Sequence, residues 1–373
     1  MHEQAAGLPG GTGPERPGAA LSPAGLPGHA GAAGGRWCWA RWPVPTRRRL
    51  QVALGMIWLL DAALQYQPYM FTAKFVHQVI GPAIAGNPAW IAASQTWAAG
   101  LMVQHIALCN ALFATIQLLI AAAILWPGTS KAGLAASIIW AIAVWWFGEG
   151  LGGIFAGASP LAGVPGAVVL YALIAVLVWP RDSDQPAVSV ATCGPAGRHL
   201  PRAAWLVLWG SFAYFLLLPA NRGAGSLQGT FAGMASGEPG WLAGFDRDAA
   251  SALAGDGAEV AIILAVCCAL VAVSVFIPAL TGPGIVLAVL LALFFWLAQD
   301  FGGIFTGTGT DPNSGLLLVL LALTFWPSAR PVRDDLPAAP AVSPQLLPTG
   351  IGAAAQAHGG HTAPGLRDSG GTS

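Results

Sequence analysis

Charged side chains are scarce in this chain. Only 9% of its 373 residues are Asp, Glu, Lys or Arg, whereas 55% are hydrophobic and the mean hydropathy is +0.64. Soluble domains carry roughly 25% charged residues, so the composition predicts an integral membrane protein. The 16 basic and 16 acidic residues balance and provide no net attraction for nucleic acid. We therefore expect the lipid bilayer as a partner and no nucleic acid.

Paired cysteines and common catalytic motifs are also missing. The five cysteines form no C-x-x-C pair, and three of them fall inside apolar runs. This argues against a zinc site, a c-type haem attachment and a disulfide framework. No Walker loop, Rossmann fingerprint, H-E-x-x-H or G-x-S-x-G motif occurs. The sequence identifies no catalytic residue and no required cofactor, and it favours a protein that is not an enzyme.

Both ends of the chain lack apolar runs. Fifteen of the first 35 residues are Gly or Pro, and Pro, Ala and Gly again dominate from Pro331 onward. Such segments cannot bury enough apolar surface to offset the entropy lost on ordering. The predicted organisation is a disordered cytoplasmic tail at 1–46, a four-helix membrane repeat at 47–180, a cytoplasmic linker at 181–201, a second four-helix membrane repeat at 202–327 and a disordered cytoplasmic tail at 328–373.

Eight apolar runs lie between the tails. Most approach the roughly 20 residues needed to cross hydrocarbon, and none alternates with polar residues as a barrel strand would. The predicted fold is all-α, an integral membrane bundle of about eight transmembrane helices in two parallel four-helix repeats. The runs are Leu50–Tyr66, Leu101–Trp126, Ala132–Phe147, Val164–Trp179, Ala203–Leu218, Val260–Ile277, Ile285–Ala298 and Ser314–Trp326.

A duplicated loop follows the third run of each half. The segment W-F-G-E-G-L-G-G-I-F-A-G begins at Trp146, and W-L-A-Q-D-F-G-G-I-F-T-G begins 150 positions later at Trp296. Glycine pairs let backbone approach backbone closely. The pairs are Gly152 with Gly153 and Gly302 with Gly303, and the P-x-x-G turns that follow are Pro160–Gly163 and Pro312–Gly315.

Basic residues around the runs predict the orientation. With both termini in the cytoplasm, eleven basic residues lie inside and three outside, as the positive-inside rule requires. The inside set is Arg36, Arg41, Arg47, Arg48, Arg49, Lys131, Arg181, Arg198, Arg202, Arg330 and Arg333; the outside set is Lys74, Arg222 and Arg247. This orientation in the plasma membrane puts the duplicated loops, and the long loops at 67–100 and 219–258, on the outer face.

The last run is too short to span the bilayer. Its 13 residues from Ser314 to Trp326 give roughly 20 Å of helix against a core of about 30 Å. The loop that carries Asp311 and Asn313 must therefore dip below the outer surface, where irregular backbone is tolerated only if it is buried or lines a water-filled cavity. This predicts a polar vestibule on the outer face. In the alternative interpretation, residues 311–313 form the capped first turn of a longer helix.

Four further polar side chains are candidates for the vestibule. Glu149 aligns with Gln299, and Asp300 follows Gln299, so the two loops differ in charge. A carboxylate there could bind a cation or relay a proton, or simply end a helix among lipid head groups. Asp61 lies eleven residues into the first run, where an acid is costly and is a functional candidate by default. Alternatively, Asp61 is a structural residue near the outer interface that bonds to a neighbour.

Two histidines are candidates for ligating haem or copper. His77 lies in an outer loop and His105 near the start of the second run, and they would need Asp61 and Glu149 to complete a ligand set. A lone histidine near a helix end is usually a hydrogen-bonding residue. No metal site is therefore assigned.

The string G-G-I-F-T-G-x-x-T-D-P-N-S-G, here Gly302 to Gly315, resembles one in multi-pass membrane proteins of uncharacterised activity from high-GC actinobacteria. The first run, with Arg49, Gly55 and Asp61, is more distantly similar to the DoxX-like four-helix family. The second half lacks the acid. The DoxX-like resemblance implies association with a quinone and a membrane redox partner.

Three functions from different classes follow from these features. The first is a non-enzymatic protein that binds or passes a small solute or ion through the vestibule, with Asp61, Glu149 and Asp300 facing one cavity. The second is an accessory subunit of a quinone-linked redox complex, with a quinone-sized cleft. The third is a scaffold or homo-oligomer whose carboxylates point apart. We favour the first.

Overall fold

The computed structural model describes residues 45–181, 189–223, 225–235 and 238–327. Every regular element in these ranges is helical, which confirms the all-α prediction for the part of the chain described. The predicted tails lie outside the described residues apart from positions 45 and 46, and so does the middle of the predicted linker.

Thirteen α-helices occur in the described ranges. They are α1 (Arg47–Gln65), α2 (Ala73–Phe75), α3 (Gly81–Ile84), α4 (Ala89–Gln104), α5 (Ile106–Leu125), α6 (Ser130–Phe147), α7 (Ala167–Leu177), α8 (His199–Leu217), α9 (Ser226–Met234), α10 (Gly240–Ala252), α11 (Gly257–Ser274), α12 (Pro278–Ala298) and α13 (Asn313–Thr324). Single turns of 3₁₀ or π helix occupy Pro68–Phe71, Val76–Ile80, Pro127–Thr129, Gly150–Gly153, Pro160–Ala162, Ala191–Cys193 and Asp300–Gly303.

Five of the described helices are long and apolar enough to cross a membrane, namely α5, α6 with the turn before it, α8, α11 and α12. Two further apolar helices are short. α7 has 11 residues and α13 has 12, which at 1.5 Å per residue is roughly 17 and 18 Å. α1 has 19 residues but is less apolar, because it carries Arg47, Gln51 and Asp61 among others.

The helices pack in the same order in both halves of the chain. α1 packs on α5, α5 on α6 and α6 on α7; likewise α8 packs on α11, α11 on α12 and α12 on α13. The two groups meet where α13 contacts α7 and α1. The short helices are therefore central, which fits their high burial: Tyr171 of α7 and Leu317 of α13 are both 0% exposed.

Two arginines tie the start of α1 to the ends of its neighbours. Arg47 donates to the carbonyl oxygens of Leu177 (2.9 Å) and Trp179 (2.8 Å), just where α7 ends. Arg48 donates to the carbonyl oxygens of Ile124 (2.9 Å) and Leu125 at the end of α5. A cation at a helix C-terminus satisfies orphan carbonyls and complements the helix dipole. The N-terminus of α1 and the C-termini of α5 and α7 thus share one side of the protein.

The long connections expected as loops contain helices of their own. The 67–100 connection holds α2, α3 and most of α4, and the 219–258 connection holds α9 and α10. The apolar run that begins at Leu101 is divided, because His105 leaves helical geometry (φ −129°, ψ 36°) between α4 and α5. A composition average over that run cannot detect a break at one residue.

The connections before the two short helices share a left-handed backbone. We call residues 148–166 the first loop and residues 299–312 the second loop. Successive φ angles are 58, 59, 62 and 71° over residues 150–153 and 50, 56, 74 and 67° over residues 300–303. Only glycine adopts this region without strain, and a run of four such residues reverses the chain tightly. The glycine pairs predicted from sequence lie inside these runs.

Tryptophan anchors each loop. The indole of Trp145 donates to the carbonyl oxygen of Pro165, and that of Trp296 donates to Pro312, both at 2.7 Å. The sequence match paired Trp146 with Trp296 and Pro160 with Pro312, whereas the bond in the first loop joins Trp145 to Pro165.

Candidate functional site

A cavity of about 730 Å³ opens between α1, α4, α5, α6 and the two loops. Three carboxyl groups line it, from three separate parts of the chain: Asp61 of α1, Glu149 of the first loop and Asp311 of the second loop. They lie near the C-terminal end of α1, on the side opposite the arginines that begin that helix. The cavity has the size of a small-molecule site.

Asp61 is almost entirely buried. Its side chain is 2% exposed, and Oδ2 accepts a hydrogen bond from the hydroxyl of Tyr171 on α7. The other oxygen, Oδ1, is buried and has no hydrogen-bond partner among the residues that the structure describes. A buried polar atom without a partner is unfavourable, and native structures contain few of them. The unpartnered oxygen belongs to a residue that lines the cavity.

Glu149 faces the start of α7. Its Oε1 and Oε2 lie 3.2 and 3.4 Å from the backbone nitrogen of Val168, so the carboxyl group caps this helix end. A helix N-terminus favours a negative charge. Burial opposes that effect, and together with the nearby Asp311 carboxylate it raises the pKa of Glu149 to about 8. Near neutral pH this side chain therefore carries a proton.

Asp311 is held by its own loop. Oδ1 accepts from the backbone nitrogen of Asn313 (2.7 Å), and Oδ2 accepts from the hydroxyl of Thr310 (2.8 Å). Burial nevertheless raises the pKa of Asp311 above its usual range. The helix α13 begins at Asn313 and not earlier, so the irregular backbone of the second loop reaches the cavity.

The rest of the cavity wall is mainly apolar and aromatic, and the described residues that line it include no Lys, Arg or His. Among its polar side chains, two have an atom without a partner. Gln117 Oε1 and the indole nitrogen of Trp140 are buried and have no hydrogen-bond partner among the described residues. The principal apolar lining residues are Phe75, Trp97, Leu101, Met102, Phe113 and Phe147.

Of the other residues predicted for the vestibule, most line the cavity, and one of them also connects the two loops. Gln299 and Asn313 line the cavity, as do Gly152, Gly153 and Gly302, whereas Gly303 does not. Gln299 also joins the loops, since its Nε2 donates to the carbonyl oxygen of Pro160 (2.8 Å) and its Oε1 accepts from the hydroxyl of Ser314 (3.0 Å). An amide can make both bonds, whereas an ionised carboxylate cannot donate.

Asp300 was expected to share the cavity with Asp61 and Glu149, but it does not line the cavity. Its carboxyl group instead faces Asp246 of α10 and lies close to Glu238. Burial and these two neighbours raise the pKa of Asp300 to about 7. The left-handed backbone at Asp300 directs the side chain away from the cavity.

Neither candidate histidine lies at the site. His77 is in the π turn and His105 is at the break between α4 and α5; both are exposed, and neither lines the cavity. Within the described ranges, no group of three or more His, Cys, Asp and Glu side chains could hold a metal ion. The set of His77, His105, Asp61 and Glu149 is therefore not assembled in this structure.

Sequence analysis missed three residues that shape the site, namely Tyr171, Gln117 and Trp140. Tyr171 is completely buried, and its ring packs on Trp58 with a centroid distance of 4.2 Å. The sequence feature that could have identified Tyr171 is its hydroxyl within an otherwise apolar run, in a chain that has only four tyrosines. Gln117 carries a similar signal, an amide in the middle of α5, a helix long and apolar enough to cross a membrane.

Over the described residues the protein is helical, with five helices that could cross a membrane and an apolar cavity that has acidic groups at one end. No family model, curated protein or solved structure matches the chain. We therefore infer the function from the residues that line the cavity.

Proposed function

We propose that this protein spans the membrane eight times and binds a small amphipathic solute with a cationic head group in the cavity. The observation that carries the proposal is the convergence of Asp61, Glu149 and Asp311 on one cavity whose wall is otherwise mainly apolar. No basic lining residue neutralises these acids. A cationic head can do so, and an apolar body fits the aromatic wall.

Two parallel four-helix repeats account for the architecture. The repeats comprise α1, α5, α6 and α7 in the first half and α8, α11, α12 and α13 in the second. The matching packing order, the left-handed loops and the two indole-to-proline bonds support the duplication. Each half also donates one amide across to the other half's loop: Gln67 to the carbonyl oxygen of Gly309 (3.3 Å) and Asn221 to that of Gly157 (2.8 Å).

Eight spans are compatible with the short central helices. α7 and α13 do not cross about 30 Å of hydrocarbon alone, so the loops before them complete the path. Residues of the first loop such as Leu161 (0% exposed) and Val164 (1% exposed) are buried in protein. Irregular backbone at membrane depth is tolerated under that condition. With cytoplasmic termini, the cavity opens toward the outside.

Site-directed labelling tests this orientation. In a variant whose own cysteines are replaced by alanine, we expect a membrane-impermeant maleimide added to intact cells to label Thr308→Cys. Gly128→Cys, in the exposed turn before α6, should react only after permeabilisation. The reverse pattern would place the cavity on the cytoplasmic side and overturn the orientation.

Ligand binding tests the function itself. For the full-length protein in mild detergent, we expect phenethylamine to bind at least about tenfold more tightly than phenethyl alcohol, since a charge-assisted contact contributes about 1.4 kcal/mol or more. Phenylacetate should not bind, because its carboxylate cannot donate to the acidic groups of the cavity and is repelled by any of them that is ionised. Isothermal titration, with detergent alone as a blank, measures all three.

Variants distinguish the cavity from the surface. Asp61→Asn should weaken amine binding about tenfold while the protein stays folded, because it removes the carboxylate but keeps the bond from Tyr171. Asp248→Asn, an exposed acid on α10, is the matched control and should bind as the parent does. Equal binding of the amine and phenylacetate, or unchanged binding by Asp61→Asn, would contradict the proposal.

A quinone is the second candidate ligand. The same cavity volume and the aromatic wall fit a quinone head group, with Asp61, whose Oδ2 accepts from Tyr171, as a hydrogen-bonding group. This would make the protein an accessory subunit of a membrane redox complex, as the DoxX-like resemblance implies. Solvent extraction of the purified protein, followed by absorption spectroscopy, would favour this function if it yields a stoichiometric quinone.

A further inference from the structure

Three acidic side chains meet away from the cavity, where α10 packs beside the second loop. Asp246 of α10 is 0% exposed and Asp300 is 5% exposed. Both carboxylate oxygens of Asp246, Oδ1 of Asp300 and Oε2 of Glu238 are buried without a hydrogen-bond partner among the described residues. Carboxylates this close cannot all be ionised in a poorly solvated place, so ionisation of the whole cluster is unfavourable and protonation is favoured.

The equivalent place in the first half is neutral and fully bonded. Asn87 and Gln95 stand 151 positions before Glu238 and Asp246. Asn87 Nδ2 donates to Gln95 Oε1 (3.0 Å) and to the carbonyl oxygen of Gly150 (3.1 Å), and Gln95 Nε2 donates to that of Trp146 (2.8 Å). These bonds fasten α4 to the first loop. The second half has acids where the first half has amides.

A protonated carboxyl group can donate a hydrogen bond as an amide does, whereas an ionised one cannot. We propose that Glu238, Asp246 and Asp300 form a proton-dependent latch, which fastens α10 to the second loop when protonated and releases it when ionised. The ring of Trp241 on α10 also contacts Phe305 of the second loop (centroid distance 5.8 Å), and this apolar contact does not depend on protonation. This inference does not depend on what the cavity binds.

The raised pKa values of the three acids determine at which pH the latch is closed. Burial, followed by Asp246 and Glu238, raises the pKa of Asp300 to about 7, and burial also raises the pKa of Glu238 and of Asp246. For acids with a raised folded-state pKa, the stabilising contribution is complete below the ordinary value of about 4 and is lost as the pH rises through about 7. The latch is therefore closed in acid and open in alkali.

No nearby basic residue offsets these charges. α9 contains no titratable side chain. On α10, Arg247 and Asp248 are exposed, as are Asp256 and Glu259 around the start of α11. The charged groups that act on Asp300 are Asp246 and Glu238.

Hydrogen exchange measured by mass spectrometry tests the latch in the full-length protein. Labelling times are scaled for the intrinsic pH dependence of exchange. We expect peptides from α10 to lose protection about tenfold between about pH 5.5 and pH 8.5, because the cluster ionises in that window. Peptides from α4, which the amides hold, should show no such loss and serve as the internal control.

The double variant Glu238→Asn with Asp246→Gln installs the amide pair of the first half. Its α10 protection should be independent of pH. Asp300→Asn offers a second test, because asparagine tolerates the positive φ at that position (50°). Equal parental protection at both pH values, or a pH effect that persists in the double variant, would overturn the latch. Protection restored by Ca²⁺ at alkaline pH would make the cluster a cation site and would also overturn it.

Discussion

Replacing Gly302 with alanine is expected to cost roughly 3 kcal/mol or more of stability, enough to unfold much of the protein. A Cβ atom at this position would lie 2.7 Å from the carbonyl carbon of Pro312 and 2.8 Å from the nitrogen of Asn313. Both are backbone atoms of the segment that leads into α13, so neither can rotate aside. The positive φ of 74° adds strain of its own.

Gly307→Ala is the matched control. Gly307 lies in the same left-handed region (φ 78°), but a Cβ there would meet only the flexible Gln67 side chain, at 3.7 Å. The expected cost is the conformational strain alone, about 1 to 2 kcal/mol. Thermal unfolding in detergent, followed by near-UV circular dichroism and by the monodisperse fraction, measures both variants. Equal melting temperatures for the two would show that the close backbone approach at Gly302 does not limit stability.

The substitution Gly152→Ala in the first loop tests the same expectation independently. Its Cβ would collide with the backbone of Pro165, the residue whose carbonyl accepts the Trp145 indole. If the loops perform the same structural task, Gly152→Ala will destabilise the protein about as much as Gly302→Ala. Each glycine lies where a reversing loop passes the entry to a short central helix.

These glycines also show what could be predicted from sequence. A Gly-Gly pair repeated at a fixed spacing requires close backbone contact, and a final apolar run of 13 residues requires irregular backbone at depth. Both inferences are local. The partners of the glycines are not local: Gly152 lies against Pro165, and which residue occupies that place depends on how many residues the first loop contains.

Side-chain direction is the second property that local pattern does not provide. Asp300 was grouped with Asp61 and Glu149 because all three acids end or interrupt apolar runs. In the structure, Asp300 has a left-handed backbone, and its side chain faces Asp246 of α10. Asp246 lies more than 50 positions earlier in the sequence. Similarly, Tyr171 reaches Asp61 across the bundle, over 110 positions. Periodicity places such residues on a helix without specifying which neighbour they meet.

The stability of the protein is expected to fall as the pH rises from about 4.5 to about 8, and Glu149→Gln should remove that part of the fall. Burial, with Asp311 second, raises the pKa of Glu149 from 4.5 to about 8. Between these values the unfolded chain is ionised while the folded chain keeps its proton, so ionisation favours unfolding. The slope from one such group is at most about 1.4 kcal/mol per pH unit.

The informative quantity is the difference in unfolding free energy between Glu149→Gln and the parent, measured by denaturant titration across this range. It should increase with pH and level off above about 8, with Glu149→Gln the more stable protein in alkali. Acids that do not interact with Glu149 affect both proteins equally and cancel in the difference. Glu259→Gln, an exposed carboxylate at the start of α11, is the control for neutralising an acid outside the cavity and should not become the more stable protein in alkali as Glu149→Gln does. A flat difference for Glu149→Gln would disprove the assignment.

The second half of the chain provides a reason to expect this variant to fold. Gln299 occupies the matching position, and its amide bonds to Pro160 and Ser314 without any charge. A glutamine at position 149 can still accept from the backbone nitrogen of Val168, so the cap on α7 is retained. The ionised form of Glu149 lowers stability at a position where an amide would suffice for structure, and under the proposed function this acid contacts the amine. Glu149→Gln should therefore gain stability in alkali and lose affinity for the amine.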